Sequence, residues 1–135
     1  MLFAFTVLAS FQALVSAQGT EKPLPKESKD TFETLNMLYS DNLAWSDEWA
    51  KKALEWLKTP ELVHADMIIS GTKSFPREDS KLLWQKLLEI FESRFEESVD
   101  EIEQLPAGTN YGCNGITKEV GNEDVISTVC LYKRP

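Results

Sequence analysis

Residues 109–132 read Thr109-Asn110-Tyr111-Gly112-Cys113-Asn114-Gly115-Ile116-Thr117-Lys118-Glu119-Val120-Gly121-Asn122-Glu123-Asp124-Val125-Ile126-Ser127-Thr128-Val129-Cys130-Leu131-Tyr132, and this stretch decides the fold. It holds both cysteines and the one convincing pair of strand-like runs. Between the runs stands Gly121-Asn122-Glu123-Asp124, the Gly/Asn/Asp punctuation that lets a chain reverse between strands. The expectation is a β-hairpin whose ends are tied by a disulfide. Everything upstream reads mostly as helix, so the fold class is α+β, with helices packed on a small antiparallel sheet or hairpin.

Immediately before the hairpin lies the longest periodic stretch. From Asp79 or Ser80 onward, Leu83, Trp84, Leu87, Leu88, Phe91, Phe95, Val99 and Ile102 return at steps of three and four, the signature of an amphipathic helix. Leu105-Pro106-Ala107-Gly108 ends it. Further upstream, Gly71-Thr72-Lys73-Ser74-Phe75-Pro76 is a loop by composition, too poor in glycine to be a phosphate loop. A second helix spans Asp47 to about Lys58, capped by Ser46, with Asp47 and Glu48 where the helix dipole favours negative charge and Pro60 as its stop. Asp30-Thr31-Phe32-Glu33 has capping-box spacing and predicts a short first helix, with Phe32, Leu35, Leu38 and Tyr39 on one face.

Met1 to Ala17 contains no charged side chain, runs apolar from Leu2 to Val15 and ends in Val15-Ser16-Ala17. This is the pattern of a secretory signal peptide, and its apolar run is shorter than the roughly 20 residues a membrane span needs. Residues 18–29, with Pro23 and Pro25, read as a flexible lead-in, and 30–135 as one domain. The two cysteines of a secreted chain allow only the Cys113 to Cys130 pairing. The net charge of −8 disfavours nucleic acid and anionic membrane surfaces as partners.

No set of side chains assembles an obvious catalytic centre. His64 is the sole histidine, with only Asp66 as a neighbouring carboxylate. A metal site would need donors from elsewhere. Serines are available, but a single histidine must serve as base and no Gly-x-Ser-x-Gly elbow occurs. The acidic face of the long helix, including Glu92, Glu96 and Asp100, lacks the loop spacing of a calcium hand. It reads as solvated surface or as a face for a basic partner. Trp45, Trp49, Trp56 and Trp84 read mainly as core. A groove formed by Trp49, Trp56, Trp84 and Phe91 is the sharper alternative, suited to an apolar small molecule.

Several stretches in series resemble the secreted CAP superfamily, also called SCP, which includes pathogenesis-related plant proteins, venom allergens and cysteine-rich secretory proteins. Leu43-Ala44-Trp45-Ser46-Asp47-Glu48-Trp49-Ala50-Lys51-Lys52-Ala53 is similar to the family's opening helix. His64, Gly71 and Trp84 stand where the family has a histidine, a Gly-Glu-Asn and a Trp-x-x-Glu helix. Thr109 to Cys113 resembles its Thr-Lys-x-Gly-Cys strand, and Val129-Cys130-Leu131-Tyr132 its closing strand. The resemblance implies a reduced α-β-α sandwich over 30–135. It also implies extracellular roles that include binding of protein partners, sterols or fatty acids. The family's cleft carries two His and two Glu that can hold a divalent metal. Carried over by position, His64 is kept, whereas Thr72, Leu87 and Val99 replace the other three. Those side chains supply neither a charged oxygen nor an imidazole, so no metal, no cofactor and no catalytic residue is expected. The family's His-Tyr-Thr-Gln strand would fall on residues 99–102, where the periodicity gives helix instead. The resulting expectation is a secreted, non-enzymatic extracellular protein that binds a protein partner. The alternative is a small carrier of a sterol or fatty acid, and a hydrolase is the third class.

Overall fold

The structure is a computed structural model that describes residues 21–135. The expected signal segment, residues 1–17, and the start of the lead-in lie outside the described residues. In chain order the elements are β1 (Lys22–Pro23), α1 (Ser28–Met37), β2 (Leu43–Trp45), α2 (Asp47–Lys58), a 3-10 turn (Pro60–Leu62), β3 (Met67–Pro76), α3 (Leu83–Glu97), α4 (Val99–Glu103), β4 (Thr109–Val120) and β5 (Glu123–Lys133).

The hairpin expected from residues 109–132 is the centre of the sheet. β4 and β5 pair antiparallel from Asn110 opposite Lys133 to Val120 opposite Glu123. Gly121 at φ 61° opens the two-residue turn, and among the described residues no non-glycine residue takes a positive φ, the type II′ arrangement that suits the strand twist. Cys113 faces Cys130 across the ladder, their Cα atoms 4.0 Å apart, and the two are joined by the expected disulfide. The strand order is β1-β4-β5-β3, with β2 also on β4. β1 and β2 share one edge of β4, β1 antiparallel at Ile116 and Thr117 and β2 parallel at Thr109 to Tyr111.

Alternation along the strands divides the core into two layers. One face of the sheet, with Ile126, Cys130 and Tyr132 of β5, packs against Phe32 and Leu35 of α1, Phe91 and Phe95 of α3, and Ile102 of α4. The other face, with Val129 and Leu131, packs against Trp49 and Ala53 of α2. Helices thus cover both sides of the sheet, the layering that lets a two-faced apolar sheet bury both surfaces. α2 is legible down to its ends: the Ser46 hydroxyl accepts from Trp49 N–H at 3.2 Å, and the helix stops before Pro60.

Four local expectations change. Residues 71–76 are not a loop but the outer half of β3, paired with Thr128 to Glu123 of β5. Their inward row is interrupted by Gly71 and by Lys73, whose ammonium bonds Glu89 of α3 at 2.8 Å, so the strand lacks an apolar alternation. The long helix starts at Leu83 and is split at Ser98. Asp79 instead accepts from Lys81 N–H in the preceding turn, and Gln85 Oε1 accepts from Leu82 N–H. The first helix starts at Ser28 rather than behind an Asp30 cap, because Pro25 begins a tight turn in which Ser28, Lys29 and Asp30 N–H bond three residues back. Leu38, expected on the inner face, is 74% exposed, because the helical path carries it about 110° around from the buried face set by Phe32, Leu35 and Asn36.

Candidate functional site

The four positions equated with the CAP metal cleft do not converge. His64 is exposed in the segment before β3, and Thr72 is exposed on β3 with its hydroxyl 3.1 Å from that of Ser127. Leu87 is fully buried among the α1/α3 side chains, and Val99 opens α4. Thr72 lies on the same β3 row as Ile68 and Ser70, opposite to the row of Met67, Ile69 and Phe75 that meets the core holding Leu87. Among the described residues no group of three His, Cys, Asp or Glu side chains is placed to hold a metal ion. The residues present do not fit that metal centre.

The proposed aromatic groove also separates. Trp49 is buried on the α2 face of the sheet and Trp56 is half-buried beside it, whereas Phe91 is fully buried on the opposite face. Trp84 is 48% exposed, not core. It sits in the first turn of α3, where the inward position is taken by Leu83 and Leu87, so the indole is displaced toward α1.

That displacement creates a feature that the sequence pattern did not show. Trp84 and Leu88 of α3 face Asp30, Thr31 and Thr34 of α1 across a hollow of about 290 Å³. A second hollow of about 250 Å³ continues past Trp84 to Leu82 and Glu27. Leu82 is itself 59% exposed. Trp84, Leu88, Glu92 and Glu96 are spaced four apart, so one stripe of α3 runs from apolar to acidic. At its acidic end Tyr39 is packed beside Phe95, and burial, then the charges of Glu96 and Glu92, raise its phenol pKa. Asp100 is exposed one helix further on, in α4.

Beneath the centre of the sheet lies a polar knot that the sequence reading missed. Asn36 of α1 is 1% exposed. Its amide donates to Phe32 O at 2.9 Å and contacts both disulfide sulfurs, at 3.6 and 3.8 Å, while its Oδ1 accepts from the Tyr132 hydroxyl. Tyr132 stacks on Tyr111 with ring centroids 5.9 Å apart. Burial is the main cause holding both phenols protonated: Tyr111 is pushed up to about 12, and Tyr132 well above its ordinary value. The enclosed Tyr132 hydroxyl is a structural donor to Asn36, and Tyr111 contributes its ring, stacked on Tyr132 and edge-on to Trp45. An Asn between apolar neighbours on a buried helix face was the available signal.

The sequence model for the family described as "ES15: 15 kDa excretory/secretory protein" matches residues 31–134. The chain belongs to the 15 kDa excretory/secretory protein family. It is 29% identical over an alignment of 150 positions to a "15 kDa excretory/secretory protein" of Haemonchus contortus, covering 100% of this chain and 99% of that one. It is 28% identical over 113 positions to a "30 kDa antigenic glycoprotein" of Trichostrongylus colubriformis, covering 84% and 83%. Among solved structures it resembles one described as "Manganese-bound Ac-ASP-7", with a TM-score of 0.51 and 21% identity. That likeness covers 69% of this chain and spans half of the other, and it carries the fold alone. This 15 kDa excretory/secretory family member is a secreted, extracellular protein. Among the described residues no helix is long and apolar enough to cross a membrane.

Proposed function

We propose that this 15 kDa excretory/secretory protein is a reduced CAP-like domain that works outside the cell by binding a protein partner, without a catalytic step. The observation that carries the reading is the α3 stripe, in which the half-exposed indole of Trp84 leads into the carboxylates of Glu92 and Glu96. An exposed tryptophan beside a hollow is the kind of anchor that dominates protein interfaces, and an acidic rim selects by charge. The partner is therefore a protein with an apolar side chain for the Trp84 trough and basic residues for the acidic end. The two-sided helix-on-sheet layering and the ordered motifs from Leu43 to Tyr132 support the CAP-like reading. The metal in the name of the resembling structure belongs to that protein. At the positions equated with the CAP family's metal cleft this chain has His64, Thr72, Leu87 and Val99.

The test is quantitative capture from extracellular fluid with four proteins: wild type, Trp84→Ala, Glu92→Lys/Glu96→Lys, and a Lys51→Glu/Lys58→Glu control on α2. A partner held by wild type and the control should lose about 30-fold in affinity with Trp84→Ala. With the charge-reversed stripe it should lose its salt dependence. Retention of the same proteins by all four, at equal affinity, refutes the assignment of this face.

A further inference from the structure

The edge of β4 away from β5 is covered at both ends and open in the middle. β2 pairs with Thr109 to Tyr111, β1 pairs with Ile116 and Thr117, and Leu24 N–H reaches Gly115 O at 3.2 Å. Between them, beside Cys113 and Asn114, lies a hollow of about 500 Å³. Its walls are apolar and partly ringed: Leu24, Pro25, Phe32, Trp45 and Leu54. Its rim is basic. Lys26 and Lys29 both line it, and the Lys29 ammonium stands 5.3 Å from the Trp45 ring centroid. Among the described residues neither ammonium is within ion-pair distance of a carboxylate. Asp47 also lines the hollow, but its carboxylate accepts the Trp45 indole N–H at 2.9 Å and lies in the first turn of α2.

One further atom bears on a ligand. Ser28 lines this hollow as well as the smaller one past Trp84 and is 5% exposed, yet its hydroxyl has no hydrogen-bond partner among the described residues. A buried hydroxyl left unpaired costs about 1 to 3 kcal/mol, so native proteins rarely keep one without a use. We propose that this notch is a binding site for a small aromatic carboxylate. Its ring lies against Trp45, Phe32 and the Leu24-Pro25 wall, and its carboxylate meets the Lys26 and Lys29 ammoniums and the Ser28 hydroxyl. Flat rings suit walls of indole, phenyl and proline. Two ammoniums without a carboxylate partner among the described residues, and a donor hydroxyl, suit a planar anion. The site shares Ser28 with the smaller hollow past Trp84 and none of its other lining residues.

The probe is 2-naphthoate, with neutral 2-naphthamide as its near-isostere, titrated into the intact oxidised protein and followed by amide chemical shifts. Saturable shifts are expected at Leu24, Ser28, Lys29, Leu54 and Asn114, with 2-naphthamide at least about tenfold weaker. Lys26→Gln/Lys29→Gln should weaken 2-naphthoate by about tenfold or more and leave 2-naphthamide unchanged. Ser28→Ala should weaken 2-naphthoate about fivefold, while the free variant melts at the wild-type temperature or above it, because an unpaired buried hydroxyl is removed. No saturable binding in the millimolar range overturns the proposal. So does equal affinity for the two probes, affinity indifferent to the lysine variant, or shifts that map to Trp84 and Leu88.

Discussion

Replacing Gly112 with alanine tests the layering of the fold at its tightest point. A Cβ at this position would lie 2.0 Å from Ala50 N, 2.4 Å from Trp49 C and 2.6 Å from Ala50 Cα. All three are backbone atoms of the first turn of α2, which no rotamer change can move. The helix must retreat by roughly 1 Å or more to restore van der Waals contact. Retreat strains two bonds that fix this end of α2: Ser46 N–H to Tyr111 O at 2.7 Å, and the Asn114 side-chain amide to Ala50 O at 3.0 Å. At about 1 kcal/mol each, plus about 1 to 3 kcal/mol for overpacking and for loosening Trp49 and Ala53 from Val129 and Leu131, the expected loss is at least about 3 kcal/mol. The assay is urea unfolding of the oxidised protein followed by tryptophan fluorescence. Gly121→Ala serves as the comparison, since nothing lies within 4 Å of a Cβ there and the cost is the left-handed backbone alone, about 1 kcal/mol. Gly112→Ala within about 0.5 kcal/mol of wild type would refute the close approach of α2 to β4.

Three other predictions address the buried knot and the surface charges. Tyr132→Phe leaves Asn36 Oδ1 buried without its donor and should cost about 2 kcal/mol. The Asn36→Leu/Tyr132→Phe double variant should cost at least about 1 kcal/mol less than the summed single variants in a double-mutant cycle, and additivity would deny the coupling. Removing the disulfide with Cys113→Ala/Cys130→Ala should cost about 3 kcal/mol and lower the melting temperature by roughly 10 °C, read by calorimetry. On the acid side, Arg134 N–H and Lys133 hold Asp66 below the usual carboxylate range, as Lys73 and Lys81 hold Glu89. Depressed folded pKa values give stability that is present above about pH 4 and lost as pH falls through the folded values. On the alkaline side the raised Tyr111 and Tyr132 phenols keep their protons while the unfolded phenols ionise, so stability should fall from about pH 10 upward. Asp66→Asn/Glu89→Gln should flatten the acid slope of the melting temperature and leave the alkaline slope intact.

What the sequence made legible follows from where local pattern and tertiary environment agree. The β4–β5 hairpin is written in its turn residues and cysteines, and α2 in its Ser46 cap, apolar face and Pro60 stop, so both were placed nearly to the residue. β3 was missed because two of its inward positions are Gly71 and Lys73, which satisfy a helix contact and an ion pair rather than an apolar alternation. The acidic end of the α3 stripe was legible from spacing. Its coupling to Trp84 was not, since that depends on α1 lying across the first turn of α3. The notch on β4 was invisible for a similar reason: it exists only because β1 and β2 cover different lengths of one edge.

Both surfaces depend on α1, and that gives the disulfide a role beyond loop closure. The inner side of α1 holds Phe32 and Leu35 in the core and Asn36 against the two sulfurs and Tyr132. Its outer side supplies Thr31 and Thr34 to the Trp84 trough, and its first turn supplies Ser28 and Lys29 to the β4 notch. A helix of 10 residues is too short to persist by propensity and is held by what it packs against. The contacts of Asn36 with the disulfide tie the middle of that helix to the centre of the sheet. In an oxidising extracellular setting the tie is permanent, which holds α1 in place both against the α3 stripe that carries Trp84, Glu92 and Glu96 and beside the notch lined by Lys26 and Lys29.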